Sequence, residues 1–173
     1  MREHVKIMFR EEEVNQRIQE VADQINRDYG DTPLHLICIL KGGAMFMCEL
    51  AKRLTMPVSF DFMSVSSYSG TESSGIVRIV KDLDESLENK HVLIVEDIVT
   101  TGGSIKEVID VVKAAGAVPV AVSMLVDRSG GKATFGDVPA TALLTMDVET
   151  YTPEHCPLCA KGIPMTKRGR TGK

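Results

Sequence analysis

Short apolar runs alternate with amphipathic stretches along most of the chain. Val14, Ile18, Val21 and Ile25 recur at steps of four and three within EEEVNQRIQEVADQINRDYG, a spacing that predicts an amphipathic helix ending near Gly30. LHLICIL (34–40) is continuously apolar, as a strand buried on both faces would be. It stops at Lys41-Gly42-Gly43 and passes into a second helical stretch, AMFMCELAKRL. PVSFDFMSV (57–65) predicts a further strand and IVRIVKD (76–82) the returning one. Between them, SSYSGTESSG (66–75) is small, polar and glycine-containing, which predicts a mobile loop. HVLIVE (91–96), VPVAVSMLVD and TALLTMDV supply three more strands. Ser104 opens an S-x-x-E pattern with Glu107, a capping box for the helix IKEVIDVVKAAG that Gly116 ends.

Strands that alternate with helices predict an α/β fold: a mostly parallel twisted sheet flanked by helices. No internal repeat or interdomain linker interrupts the pattern. One domain is expected over residues 1–150, carrying a mobile flap, followed by an irregular C-terminal tail over 151–173 with a C-P-L-C turn. Residues 161–173 hold five basic side chains and no acid, which reads as a solvated end in preference to a phosphate-binding tail.

Composition narrows the field of partners. The 173 residues are 43% hydrophobic and 25% charged, enough for one well-filled core. A net charge of −4 advertises no broad basic surface for nucleic acid or membrane. No apolar run approaches the roughly 20 residues of a membrane span. MREHVKIMFREEEV lacks the apolar core of a signal peptide, so a cytoplasmic location is expected. Cys38 and Cys48 lie in apolar stretches and are expected to be buried thiols. Cys156 and Cys159 form a lone C-x-x-C with only His155 as a local third ligand, short of a four-ligand zinc site. A reduced, solvent-facing turn is the expectation there.

The chemistry concentrates in VLIVEDIVTTGGSI (92–105). Backbone N–H groups of Thr100, Thr101, Gly102, Gly103 and Ser104, at the start of a helix, form an anion cradle that the helix dipole reinforces. No G-K-[ST] follows, so the loop is not a Walker loop, and it is not G-x-G-x-x-G either. Two acids, Glu96 and Asp97, stand directly before it, and they would repel a bare phosphate. Carboxylates accept hydrogen bonds from vicinal hydroxyls and attract divalent cations. An acid pair beside a phosphate cradle therefore suits a sugar phosphate, with Mg²⁺ reducing the repulsion. The plainer alternative is a strand-to-helix turn with two solvated acids.

This stretch resembles the phosphoribosyl-diphosphate (PRPP) motif of type I phosphoribosyltransferases. The resemblance implies that Glu96 and Asp97 hold the ribose hydroxyls, and Mg²⁺ largely through PRPP, while residues 100–104 hold the 5′-phosphate. It implies that Lys41 and Gly42 lie in the pyrophosphate loop, and that Ser67 and Tyr68 lie in a flap closing over the leaving group. Closure keeps a ribosyl-cation-like centre from water. Small-molecule partners follow, PRPP and a nucleobase, with a homo-oligomer, dimer or tetramer, by resemblance alone.

Residues 1–98 resemble hypoxanthine-guanine phosphoribosyltransferase, through LKGGAMFMCELAKRL, MPVSFDFMSVSSYSGTESSG and VRIVKDLDESLENKHVLIVEDIV. Residues 99–173 resemble orotate phosphoribosyltransferase, through VTTGGSIKEVIDVVKAAGA, VDRSGGKATFG and the CPLC tail. A hybrid joined inside the shared motif is one expectation. The purine enzymes carry an aspartate where Thr100 stands, and a lysine reading the exocyclic oxygen where Arg128 stands. Tyr151 is then the nearby aromatic left to stack on a base. Thr100 and Arg128 match the orotate enzymes, yet the flap region lacks the lysines those enzymes carry. Transfer to a 6-oxopurine is the first reading and transfer to orotate the second. A non-catalytic PRPP-binding regulator or an idle hybrid is the third, disfavoured as a nucleic-acid binder by 24 acids against 20 Lys and Arg.

Overall fold

Three consecutive acids, Glu11, Glu12 and Glu13, open helix α1 (Glu11–Tyr29) at the positive end of its dipole, and Arg27 closes it. The Arg10 backbone N–H donates to Glu13 Oε2 at 2.7 Å, and Gly30, at φ 55°, terminates the helix where predicted. Ile18, Val21 and Ile25 are buried and Val14 half-buried, as their spacing requires. The computed structural model describes residue 7 and residues 9–66, 78–81, 86–149, 151 and 154–163. The flap beyond Ser66, with Ser67 and Tyr68, and the basic end from 164 onward lie outside the described residues.

The remaining elements are β1 (Leu34–Ile39), α2 (Gly43–Ala51), β2 (Val58–Ser66), β3 (Arg78–Lys81), β4 (His91–Val99), α3 (Gly103–Ala114), β5 (Val118–Asp127), β6 (Ala140–Thr145) and α4 (Pro157–Ala160). The strands form one sheet in the order β3-β2-β1-β4-β5-β6. Every neighbouring pair is parallel except β2 with β3, which is antiparallel. The expected α/β class and mostly parallel sheet are both observed.

All six residues of β1 are buried, because the sheet is covered on both faces. Leu34, Leu36 and Cys38 pack with Leu93 and Val95 against α1 and α2. Ile37 and Ile39 pack with Val92 and Ile94 against α3. Two-residue alternation thus divides the core into two layers around one sheet.

Several boundaries move. Helix α2 stops at Ala51, short of the predicted Leu54, and buries only Gly43, Phe46, Met47 and Leu50. Glu49 is its one charged residue and apolar side chains extend beyond the buried stripe, so Cys48 falls on the open face and is exposed, contrary to the buried thiol expected. The tail is not wholly irregular, since α4 forms within it behind Pro157 at the first helical position. The predicted capping box does not form. Gly102, left-handed at φ 77°, is the N-cap of α3 with no side-chain cap, and Ser104 lies within the first turn. Strand β4 runs to Val99, so both acids sit on the strand itself.

Ile94 is fully buried in a central strand, whereas Val118 is 51% exposed at the start of β5. Ile94→Ala should lower unfolding free energy by about 2–5 kcal/mol, and Val118→Ala by no more than about 0.5 kcal/mol. Urea midpoints of the two variants check this contrast.

Candidate functional site

The direction of strand order reverses between the parallel neighbours β1 and β4. From β1 the chain crosses to β2 on one side, and from β4 to β5 on the other. A crevice opens between the carboxyl ends of two such strands. Glycine turns leave both strands at this point: Lys41-Gly42-Gly43 after β1, and Thr100 to Ser104 after β4.

The two turns are brought together by close packing. A Cβ on Gly42 would lie 1.6 Å from Asp97 Oδ2 and 2.3 Å from its Cγ. One on Gly43 would lie 3.1 Å from Cys38 Sγ and 3.3 Å from the Val95 carbonyl oxygen. With Asp97 where it stands, only bare backbone fits at Gly42, and Gly43 is tightly packed. The Leu40 N–H donates to the Met63 carbonyl at 2.7 Å, the Leu40–Lys41 peptide is cis, and Lys41 is exposed.

Asp97 is half-buried beside Glu96, which is 7% exposed and accepts the Asp97 backbone N–H at Oε1, 3.0 Å. Burial, and then the Asp97 carboxyl, push the Glu96 pKa up to about 8. Among the described residues, no group of three or more His, Cys, Asp or Glu converges to hold a metal by itself. Two carboxylates would need further oxygen donors from a ligand or water.

At the start of α3, Lys106 N–H bonds to the Gly102 carbonyl at 3.1 Å, the first bond of the helix. The N–H groups before it are the free donors of a helix N-terminus, and no side chain caps them. They border a cavity of 220 Å³ lined by Glu96, Ile98, residues 99–105 and Glu107. Glu107, read from sequence as a capping partner, instead lines this cavity, with Oε2 buried and without a hydrogen-bond partner. Burial, and then Asp110, raise its pKa. Gly102 is pinned from behind, since a Cβ there would meet the Phe135 ring at 2.8 Å.

Thr100 and Thr101 also border a second cavity of 340 Å³, shared with Arg128, Ser129, Lys132, Ala133, Asp147 and Val148. Arg128 is held there by its N–H bond to the Val99 carbonyl, 2.7 Å. The Asp127 carboxylate accepts N–H bonds from Ser129 at 2.7 Å and Gly131 at 2.9 Å, which folds the loop. Of the predicted base-contacting residues, Thr100 and Arg128 therefore line one cavity. Tyr151 does not line the cavity; it is half-exposed and its hydroxyl bonds to Glu149. Lys132 and Asp147 were missed because only their pairing across the fold gives them a place. Cys156 and Cys159 are free, partly exposed thiols, with the Cys159 N–H directed at Cys156 Sγ, 3.4 Å.

The phosphoribosyl transferase domain family matches residues 4–135. The chain belongs to the phosphoribosyltransferase family. This transferase is 42% identical over 124 residues to a hypoxanthine-guanine phosphoribosyltransferase of Staphylococcus aureus, covering 71% of this chain and 69% of that protein. A crystal structure of a hypoxanthine phosphoribosyltransferase from the same species matches at TM-score 0.72 and 38% identity, over 82% of this chain and 77% of that one. The Trypanosoma cruzi hypoxanthine phosphoribosyltransferase, in complex with the product IMP, matches at TM-score 0.70 and 36% identity, over 82% and 80%. The family match runs across Val99 without a break, and these purine-enzyme relatives lend no support to an orotate-like segment or a junction there. No helix among the described residues is long and apolar enough to cross a membrane.

The raised pKa of Glu96 makes the transferase's stability pH-dependent. The native state holds this proton more tightly than the unfolded chain, whose carboxyl returns to 4.5. Stability from this group is therefore fully present below pH 4.5 and is lost as pH rises toward about 8. Glu96→Gln should raise the ligand-free urea midpoint at pH 8.5, with a ceiling of about 5 kcal/mol, and change it little at pH 4.5 or below. An equal effect at both pH values would contradict the assignment.

Proposed function

We propose that this chain transfers the phosphoribosyl group of PRPP to a 6-oxopurine, hypoxanthine or guanine, releasing pyrophosphate. The observation that carries the proposal is the packing of the Gly42 turn against Asp97, beside the uncapped N-terminus of α3. A glycine turn, an acid pair and an anion cradle in contact suit one ligand bearing phosphate at each end and hydroxyls between. The purine comes from the relatives' activity.

In this proposal Glu96 and Asp97 accept hydrogen bonds from the ribose hydroxyls, and the amides of residues 100–104 hold the 5′-phosphate. Protonated Glu107 can donate to that phosphate, whereas its ionised form would repel it. Lys41 and the Gly42 amide secure the pyrophosphate, with Ser67 and Tyr68 covering it. The base enters the cavity beside Thr100 and Arg128, where Arg128 donates to its exocyclic oxygen, and Tyr151 belongs to the same proposed base-binding set. The base nitrogen bonds to C1′, the C1′–O bond to pyrophosphate breaks, and the proton of the base passes to solvent. Thr100 offers a hydroxyl and cannot accept that proton as a carboxylate would. The acid pair fits Mg²⁺ as a source of hard oxygen donors, and the ion would neutralise charge on the diphosphate. A homo-oligomer, dimer or tetramer, and one domain over 1–150 with a tail over 151–173 are parts of the same proposal.

Orotate is a second reading on one specific observation: Thr100 and Arg128 face one cavity, and a guanidinium fork suits a carboxylate. Pyrophosphate release from PRPP and Mg²⁺, with each base supplied separately, separates the two. Hypoxanthine and guanine should turn over, with kcat/KM at least about tenfold above orotate, a difference of about 1.4 kcal/mol. Turnover with orotate alone would overturn the purine reading. Silence with all three bases while PRPP still binds would favour a PRPP-binding regulator or an idle protein.

A further inference from the structure

Cys156 and Cys159 lie beyond the matched domain of residues 4–135, and no step of the transfer uses them. One short turn holds both. Cys156 is the N-cap of α4, Pro157 fixes its own φ at the first helical position, and Cys159 follows within the same turn. The Cys159 N–H is directed at Cys156 Sγ, 3.4 Å away, and the two thiols are themselves within hydrogen-bonding reach. The main chain closes the turn on itself. Ala160 N–H donates to the Cys156 carbonyl at 3.0 Å, Gly162 N–H to the Cys159 carbonyl at 3.0 Å, and Ile163 N–H to the Leu158 carbonyl at 3.1 Å. The two sulfurs are thus brought together before any bond joins them. His155, Pro157, Leu158 and Ala160 are exposed, so a small molecule has access to both.

The two thiols differ in character. The Cys159 N–H draws the Cys156 pKa down, whereas the hydrogen bond to Cys156 pushes the Cys159 pKa up. Cys38, by contrast, is buried, and burial, then Glu96 and Asp97, push its pKa up to about 12. Two thiolates leave a zinc ion short of four ligands, and among the described residues no third His, Cys, Asp or Glu joins them. We propose that Cys156 and Cys159 form a thiol–disulfide exchange site whose co-reactant is a low-molecular-weight disulfide, RSSR. The Cys156 thiolate attacks one sulfur of RSSR, the bond between its sulfurs breaks, one RS⁻ leaves, and a mixed disulfide forms at Cys156. Cys159 then gives its proton to solvent and its sulfur attacks Cys156 Sγ. The S–S bond within the turn forms as the second RS⁻ leaves. Two protein thiols are oxidised by two electrons, and one RSSR is reduced to two thiols.

The test mixes the full reduced chain with oxidised glutathione at neutral pH, quenches with acid and follows each cysteine by peptide mass spectrometry. Cys48, exposed on α2, is the reference thiol. In the wild-type chain the disulfide between Cys156 and Cys159 should form at least about tenfold faster than glutathione adds to Cys48. Cys159→Ser keeps the backbone N–H at 159, so it should accumulate the mixed disulfide at Cys156 with the same advantage over Cys48. In Cys156→Ser, Cys159 should react no faster than Cys48. Urea should remove the advantage of Cys156 in Cys159→Ser, because the folded turn supplies it. Equal rates at Cys156 and Cys48 in folded Cys159→Ser would overturn the proposal, as would an advantage undiminished by urea. A mixed disulfide at Cys156 that the wild-type Cys159 fails to resolve would also overturn it. So would one equivalent of zinc ion, added as the chloride, that blocks oxidation and resists a chelator, since the pair would then be a metal site.

Discussion

Everything at the carboxyl edge of the sheet depends on how closely the Gly42 backbone approaches the Asp97 side chain. The approach is possible only because Gly42, in the turn after β1, has no side chain and because β1 and β4 are hydrogen-bonded neighbours. The crossover to β2 carries the chain one way and that to β5 the other, so the crevice is left open at this contact. A sheet in sequential strand order would have no such opening between these strands.

From that contact the electrostatics follow. Glu96 stays buried because β4 continues past it to Val99, and its neighbour turns toward the crevice. A second buried charge would be costly, so burial and Asp97 together favour the protonated form of Glu96. The N-terminus of α3 then faces the same crevice without a capping side chain, leaving its N–H groups available to a ligand. The 127–133 loop, folded around the Asp127 carboxylate, fixes Arg128 and Lys132 on the other side of Thr100.

Much of this was legible in the chain. Strands β1 and β4 read as mainly apolar runs, His35 and the Glu96–Asp97 pair apart, because parallel strands covered on both faces bury mostly apolar side chains. Helix α1 read through its three-four spacing, and the acid pair with its glycine turn announced a sugar-phosphate chemistry. The misreadings have physical sources. An S-x-x-E pattern looks the same whether serine caps the helix or lies inside its first turn, and here Gly102 takes the cap. Cys48 reads as buried because apolar residues of α2 extend beyond the one stripe that meets the core. Lys132 and Asp147 carry no local signature, since their meeting depends on a bridge between a loop and a segment beyond β6. Tyr151 carries no signal of its own beyond being the nearby aromatic, and its hydroxyl bonds to Glu149.

The most direct test of the account is the affinity of PRPP with Mg²⁺, measured by titration calorimetry, for the wild-type chain and for Gly42→Ala. An alanine at this position must drive the Asp97 carboxylate out of its place, because 1.6 Å separates the new Cβ from Oδ2. The account predicts a folded variant that binds PRPP at least about tenfold more weakly, a loss of about 1.4 kcal/mol or more. A folded Gly42→Ala chain that binds PRPP as tightly as wild type would contradict it.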